Sequence, residues 1–375
     1  MREFKYPTIL ILKKWAQKGV INTLKKLKVG IIGVGMAFER LHYPAYEKLE
    51  DRYEIVSLCD LQIEKAEAWA GRLHLGPDRV FTDYHRMLEE VELDVIDIMV
   101  PIELNFAVTR DVAEKLAGQR KGIICEKPLA PNLEQAQEAC NLGARYNLPI
   151  MIAENYRYSQ EMNMIRDLIH AGRIGDILYF IQNRVMNFPQ KMLQDDFSAK
   201  DWRQHPEYPA GVITDTAVHE LGGLRHLFGP IVKLQAFGRP QRADFAPYSV
   251  IQANLLFRSG VTGSFSFFCA GTEMQRPLIG LRIFGTGGMI YLEEHDAGVI
   301  NIAFNDGRLE RMPYEVQKGY YNELVNFHKA LTGEEPIAVT ADVEYGDLQA
   351  VMDILKSITE DRVVHLEKTE ALSPS

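Results

Sequence analysis

The sequence of 375 residues predicts an α/β fold: a doubly wound parallel sheet, then a second, α+β domain built mainly on antiparallel strands. Three observations carry that expectation. From Lys28 to about Asn155, short apolar runs alternate with helical stretches, and continuous β-branched strands of this kind belong to parallel sheets covered on both faces. Beyond Asn155 the rhythm changes to longer strand-like stretches joined by glycine turns. The length also exceeds what one ordinary hydrophobic core supports.

The first-domain strands are expected at KVGIIG (28–33), YEIVSLCD (53–60), VFTD (80–83), DVIDIMV (94–100), GIICEK (122–127) and PIMIAEN (149–155). Between them QIEKAEAWAGRL and LEQAQEACNLGARY place apolar residues three and four apart, the helical spacing. A helix over EMNMIRDLIHAGRIG opens the second domain. Turn signals follow at Arg258-Ser259-Gly260, Gly285-Thr286-Gly287-Gly288 and Asn305-Asp306-Gly307, which mark strand reversals. Two late helices, YYNELVNFHKAL and DVEYGDLQAVMDILKSI, close the pattern. The expected division is an extension over 1–27, a first domain over 28–154, a second over 155–368, and a tail over 369–375.

Composition is that of a soluble globular protein, with 46% hydrophobic and 25% charged residues. A net charge of -9 argues against nucleic acid as the main partner, because no positive field attracts phosphates. Cys59, Cys125, Cys140 and Cys269 form no CxxC pair and read as free thiols in a reducing cytoplasm. His42, His85, His205 and His226 have no carboxylate or cysteine partners at ligand spacing, so no metal site is expected. No apolar run reaches the roughly 20 residues that span a bilayer. The basic N-terminus, MREFKYPTILILKKWAQKG, lacks the long apolar region and small cleavage-site residues of a signal peptide. It reads as an extension or partner-binding arm, with a membrane-surface helix as the other reading.

The first strand runs into Gly33-Val34-Gly35-Met36-Ala37-Phe38. Glycine at 33 allows a tight turn, and glycine at 35 lets the backbone approach a pyrophosphate at the helix N-terminus that Met36 and Ala37 open. Two glycines after a strand are weak evidence alone. The context strengthens them, because a helix follows and Asp60 ends the next strand, where a carboxylate accepts the ribose hydroxyls of NAD. Asp60-Leu61-Gln62 brings no arginine, which favours NAD over NADP. This is the fingerprint of a Rossmann domain with one departure: Phe38 stands where glycine or alanine packs helix on strand. Either its ring points outward beside the cofactor or the helix sits further from the sheet.

GIIGVG, Asp60, CEKPLA (125–130) and DTAVHELGGLRHLFG (215–229) occur together and in order. That set resembles the Gfo/Idh/MocA family of NAD(P)-dependent sugar and polyol oxidoreductases, from about Lys28 to about Val364. The resemblance implies a Rossmann domain followed by a domain with a large open sheet, through which subunits pair as homodimers or homotetramers. It also implies that Lys127 of Glu126-Lys127-Pro128 reaches substrate and nicotinamide, aimed by the proline, often through a cis bond. Glu126, Pro101 and Asn105 join the expected cofactor contacts; many relatives carry histidine where Asn105 stands. Asp215 and His219 match the family's aspartate and histidine, the histidine being the usual general base.

The residues themselves are compatible with those roles. Asp215 and His219 are four apart and share a helix face. A helix N-terminus favours a carboxylate and disfavours imidazolium, keeping His219 able to accept a proton. Asn155, Tyr156, Arg157 and Tyr158 match a segment that lines the substrate site in relatives. Trp202 and Arg203 are further substrate candidates, since sugar rings suit aromatic faces and forked donors. Ring-and-arginine clusters equally often just pack, and both readings stay open here. The expected activity is NAD-dependent oxidation of a hydroxyl on a sugar, cyclitol or sugar derivative. A glycosidase using transient redox at NAD, and a non-catalytic dinucleotide sensor, are the alternatives.

Overall fold

The structure, a computed structural model, describes residues 26–186, 211–240, 248–268 and 279–366. Trp202, Arg203, His205, Cys269 and nearly all of the 1–27 and 369–375 segments lie outside these residues. The chain forms two units: one runs to Glu154 and regains Tyr320–Tyr345, the other holds Asn155–Gly319 and the chain from Gly346.

In the first unit six strands form one sheet: β1 (Leu27–Ile32), β2 (Tyr53–Cys59), β3 (Val80–Phe81), β4 (Val95–Ile98), β5 (Gly122–Glu126) and β6 (Ile150–Ala153). Their order is β3-β2-β1-β4-β5-β6 and every pairing is parallel. The order reverses between β1 and β4, and the carboxyl ends of strands at such a switch point are where doubly wound sheets bind ligands. Both faces are covered, so β4, β5 and β6 are buried at every position. Cys59 and Cys125 are buried free thiols, each pushed up to about 12 by burial.

The sequence pattern expected Tyr320–Tyr345 within the second domain. The structure returns this stretch to the first. Gly122 shows how: a Cβ there would stand 2.6 Å from the ring of Phe327, so only glycine lets the helix Gly319–Thr332 close over β5. Ile152 donates its N–H to Val339 O at 3.1 Å. The expected helix over 133–146 is two shorter ones, Leu133–Ala139 and Leu142–Tyr146, broken where Asn141 and Gly143 supply poor helix propensity.

Among the described residues the second unit holds nine strands: β7 (Ile177–Val185), β8 (Ile231–Pro240), β9 (Tyr248–Phe257), β10 (Thr262–Phe268), β11 (Ile279–Gly285), β12 (Gly288–Leu292), β13 (Val299–Phe304), β14 (Leu309–Pro313) and β15 (Val364–His365). Their order is β14-β13-β12-β11-β7-β10-β9-β8-β15, antiparallel throughout except for β7 with β10. The three predicted turns connect β9 to β10, β11 to β12 and β13 to β14. One sheet face is buried under the helices Gln160–His170, Val212–Phe228 and Ala341–Glu360. Phe180 of β7 stacks at 5.1 Å on Phe228 there. The alternation of strands turns Tyr179 and Ile181 to the opposite face, 41% and 42% exposed.

Candidate active site

In the first unit the loop after β1 has the geometry a dinucleotide requires. Gly33 adopts φ +92°, and a Cβ there would lie 2.2 Å from Met99 O, so the turn admits only glycine. Gly35 has the opposite surroundings, with nothing within 4 Å of a Cβ. Its backbone is therefore open to a close-fitting group at the start of the helix formed from Met36 and Ala37 onward. Asp60 directly follows β2 and is half-buried; its Oδ2 accepts the Val34 N–H at 3.0 Å and its Oδ1 the Gln62 N–H at 2.9 Å. The carboxylate is thus fixed against the glycine loop, with lone pairs left for ribose hydroxyls. These residues fit NAD.

Phe38 turns inward. It is fully buried, edge-on to Trp69 at 4.8 Å and tilted on Tyr43 at 5.8 Å, so its ring does not face a cofactor. Residues Phe38–His42 form a π-helical turn before the α-helical Tyr43–Glu47. The wider turn gives the ring room where a glycine would let helix and strand touch.

The strand end at β5 is held from several sides. Glu126 is buried; its Oε2 accepts the N–H of Lys127 at 3.0 Å, and its Oε1 lies 2.8 Å from His42 Nε2. The Lys127–Pro128 peptide is cis. Asn105 is fully buried, and its Nδ2 donates to Glu126 O and Pro128 O, each at 2.9 Å. Sequence reasoning placed the Asn105 amide and Glu126 at the cofactor. The Asn105 Nδ2 and the Glu126 Oε2 bind the backbone on either side of Lys127, while Asn105 Oδ1 is buried without a hydrogen-bond partner among the described residues. Pro101 is exposed at the N-cap of the helix Ile102–Lys115. Lys127 itself is half-buried.

His42 has two carboxylate partners that no local spacing shows, 55 and 84 residues further along the chain. One signal for it was visible: Asp97 is a charged residue in the middle of the buried strand Val-Ile-Asp-Ile, and such a residue needs a partner. His85 has a carboxylate partner too, with Nε2 3.0 Å from Asp111. Among the described residues no group of three or more His, Cys, Asp and Glu is arranged to hold a metal ion.

In the second unit Gly211, at φ +47°, precedes the helix Val212–Phe228. Asp215 lies buried in its first turn, and its N–H donates to Gly211 O at 3.2 Å. His219 is half-buried one turn on, with its ring stacked on Tyr156 at 4.8 Å and 22°. Tyr156 also meets His295 at 4.5 Å, and His295 Nδ1 lies 2.9 Å from Glu161 Oε1. His295 Nε2, Glu161 Oε2 and Asn155 Oδ1 are buried without a hydrogen-bond partner among the described residues. Sequence reasoning missed His295, and nothing in its local sequence marks it.

For Arg157 the sequence left substrate contact and packing both open, and the structure shows it in an ion pair. Its guanidinium grips the buried Asp347 through Nε at 2.8 Å and Nη2 at 2.5 Å, and Arg225 pairs with the same carboxylate. The two guanidinium cations share the buried Asp347 carboxylate, which offsets part of the cost of burying their charge. Trp202 and Arg203 lie outside the described residues.

Comparisons with known proteins bear on both units. Residues 27–154 match the model of an oxidoreductase family with an NAD-binding Rossmann fold, GFO_IDH_MocA, and residues 162–291 match the GFO/IDH/MocA C-terminal domain. An uncharacterized protein of Saccharomyces cerevisiae, YMR315W, is 25% identical over 83% of this chain and 89% of its own length. The D-apiose dehydrogenase of Paraburkholderia graminis is 30% identical over 64% of this chain and 60% of its own. Among solved structures, an oxidoreductase from Agrobacterium radiobacter in complex with NAD+, L-tartaric acid and magnesium superposes with a TM-score of 0.79. It is 18% identical, over 91% of this chain and 98% of that one.

Proposed function

The chain belongs to the Gfo/Idh/MocA oxidoreductase family, and from that premise we propose that it oxidises or forms a hydroxyl on a sugar, cyclitol or sugar derivative. It is an oxidoreductase with an NAD-binding Rossmann domain. The substrate class follows the family resemblance and a relative that acts, by its name, on D-apiose. When bound, the nicotinamide supplies the hydride acceptor or donor.

The chain's own residues supply the rest. His219 removes the hydroxyl proton as general base. Lys127 hydrogen-bonds the reacting oxygen and stabilises the negative charge that develops on it. Asp215, in the first turn, orients its neighbours; general acid–base help of this kind contributes about 10²–10⁴-fold. The observation that most supports this reading is the Lys127 turn. Its backbone is held by Glu126 Oε2 and flanked by both Asn105 bonds, the fixed placement that orientation effects require. In the second unit, the Tyr156 ring against His219 and the open valences of His295 and Asn155 favour a polyhydroxylated substrate.

Two finer features belong to the same reading. The exposed apolar residues Tyr179, Ile181 and Phe237 on the large sheet favour a homo-oligomer formed through it. The free thiols Cys59 and Cys125 favour a reducing, cytoplasmic setting; among the described residues no helix is long and apolar enough to cross a membrane. The experiment is a screen of sugars, inositols and sugar acids with NAD, followed by nicotinamide absorbance. A substrate-dependent change supports the dehydrogenase. Cleavage of a glycoside with no net NADH points instead to hydrolysis through transient redox.

A further inference from the structure

A buried polar cluster lies directly behind the Lys127 turn, and the chemistry above makes no use of it. His42 is fully buried, and each ring nitrogen faces a carboxylate: Nδ1 is 2.9 Å from Asp97 Oδ2, and Nε2 is 2.8 Å from Glu126 Oε1. Tyr46 donates its hydroxyl to the same Asp97 oxygen at 2.9 Å. The ring of Tyr320 tilts against His42 at 5.7 Å. Glu323, on the same helix as Tyr320, is fully buried and near enough to interact with His42, Asp97, Glu126 and Glu154.

An imidazole set between two carboxylate oxygens satisfies both contacts only with a proton on each nitrogen. Burial opposes that charge, but Asp97 and Glu126 outweigh it, so the His42 pKa is raised well above the ordinary histidine value. The bridge leads to the proposed catalytic lysine, because the other oxygen of Glu126 accepts the Lys127 N–H. Without His42, Glu126 is a buried carboxylate lacking its charge partner, and the group that fixes the Lys127 backbone is free to turn. We propose that His42 is a positioning residue for the reaction, acting on Lys127 through Glu126. This rests on the role given to Lys127 above.

A cluster that only stabilised the fold predicts a different pattern from one that also aims Lys127. The test uses the full chain with His42→Gln and Glu126→Gln, singly and combined. Hydrogen exchange at the Lys127 amide is measured without substrate, and NAD binding by calorimetry. Turnover is followed with NAD on a panel of aldoses and methyl glycosides. His42→Gln should speed Lys127 amide exchange by roughly tenfold or more, leave NAD affinity nearly unchanged, and lower kcat by about 10–100-fold, the scale of a misplaced group. The double variant should be no slower than the slower single, since both act on one path.

Unchanged exchange at Lys127, or kcat losses that multiply in the double variant, overturns the proposal. A panel that wild type leaves untouched counts against the sugar reading, and the exchange result still decides His42. Should His42→Gln not fold, nitrogen NMR of ring-labelled wild-type protein decides. Both His42 nitrogens must carry protons at about pH 8, where an ordinary histidine is neutral; a bare nitrogen refutes the bridge.

Discussion

Replacing Asp60 with alanine tests the cofactor half of the site, with a magnitude that follows from its contacts. The carboxylate accepts the Val34 N–H at 3.0 Å and the Gln62 N–H at 2.9 Å, so it both shapes the glycine loop and presents its remaining lone pairs to a ribose. Two ribose hydroxyls bonded to a charged acceptor are worth about 1.5–3 kcal/mol each. Asp60 is half-buried, which favours the lower end of that range, about 3 kcal/mol for the pair. That corresponds to an NAD affinity weaker by about 10²-fold. Removing the carboxylate also removes its repulsion of a 2′-phosphate, so NADP affinity should rise while NAD affinity falls. Calorimetric titration of wild type, Asp60→Ala and Asp60→Asn with each dinucleotide reads both effects. Asparagine keeps an acceptor without the charge and should fall between. A ratio of NAD to NADP affinity in Asp60→Ala that matches wild type would refute the reasoning.

Lys127→Met and His219→Ala should each lower turnover by about two decades or more with NAD affinity largely retained; full turnover in both, in a steady-state assay, removes the catalytic assignment. His226 is pushed down to about 3, by burial first and then by Arg157 and Arg166. Because its folded pKa lies below its unfolded one, the unfolded chain takes the proton first as pH falls, and stability drops with it. From pH 7 to pH 5 this single group should cost about 2 kcal/mol. Urea melts of His226→Gln should therefore show a loss over that range smaller by the same amount. Glu323 is raised well above the carboxylate value, by burial foremost. It therefore opposes folding above its unfolded pKa, and Glu323→Met should raise the neutral-pH stability by about 1 kcal/mol or more, read as a higher Tm; a lower Tm would show that the carboxyl has a structural partner.

The doubly wound sheet was legible because its signals are local. Each strand of the first unit is a short apolar run, and each connecting helix shows its own spacing. The turn glycines at 33, 260 and 307 all adopt positive φ, at +92°, +89° and +88°. The glycine loop with Asp60, the Glu126-Lys127-Pro128 strand end and the Asp215–His219 spacing were legible for the same reason, since each lies within a few residues of chain.

What the sequence by itself determined is therefore the set of elements and the chemistry carried at their ends. Only the tertiary structure decided which distant groups meet. It brought His42 to Asp97 and Glu126 across 55 and 84 residues and carried Glu323 back beneath the first sheet. It joined His295 to Glu161 across 134 residues, and it paired Arg157 with Asp347, 190 residues away. The physical reason is common to His42, His295 and Arg157, whereas Glu323 is buried with neither carboxyl oxygen hydrogen-bonded among the described residues. A buried charge must find its partner wherever the packing of the fold delivers one, and no spacing along the chain records that choice.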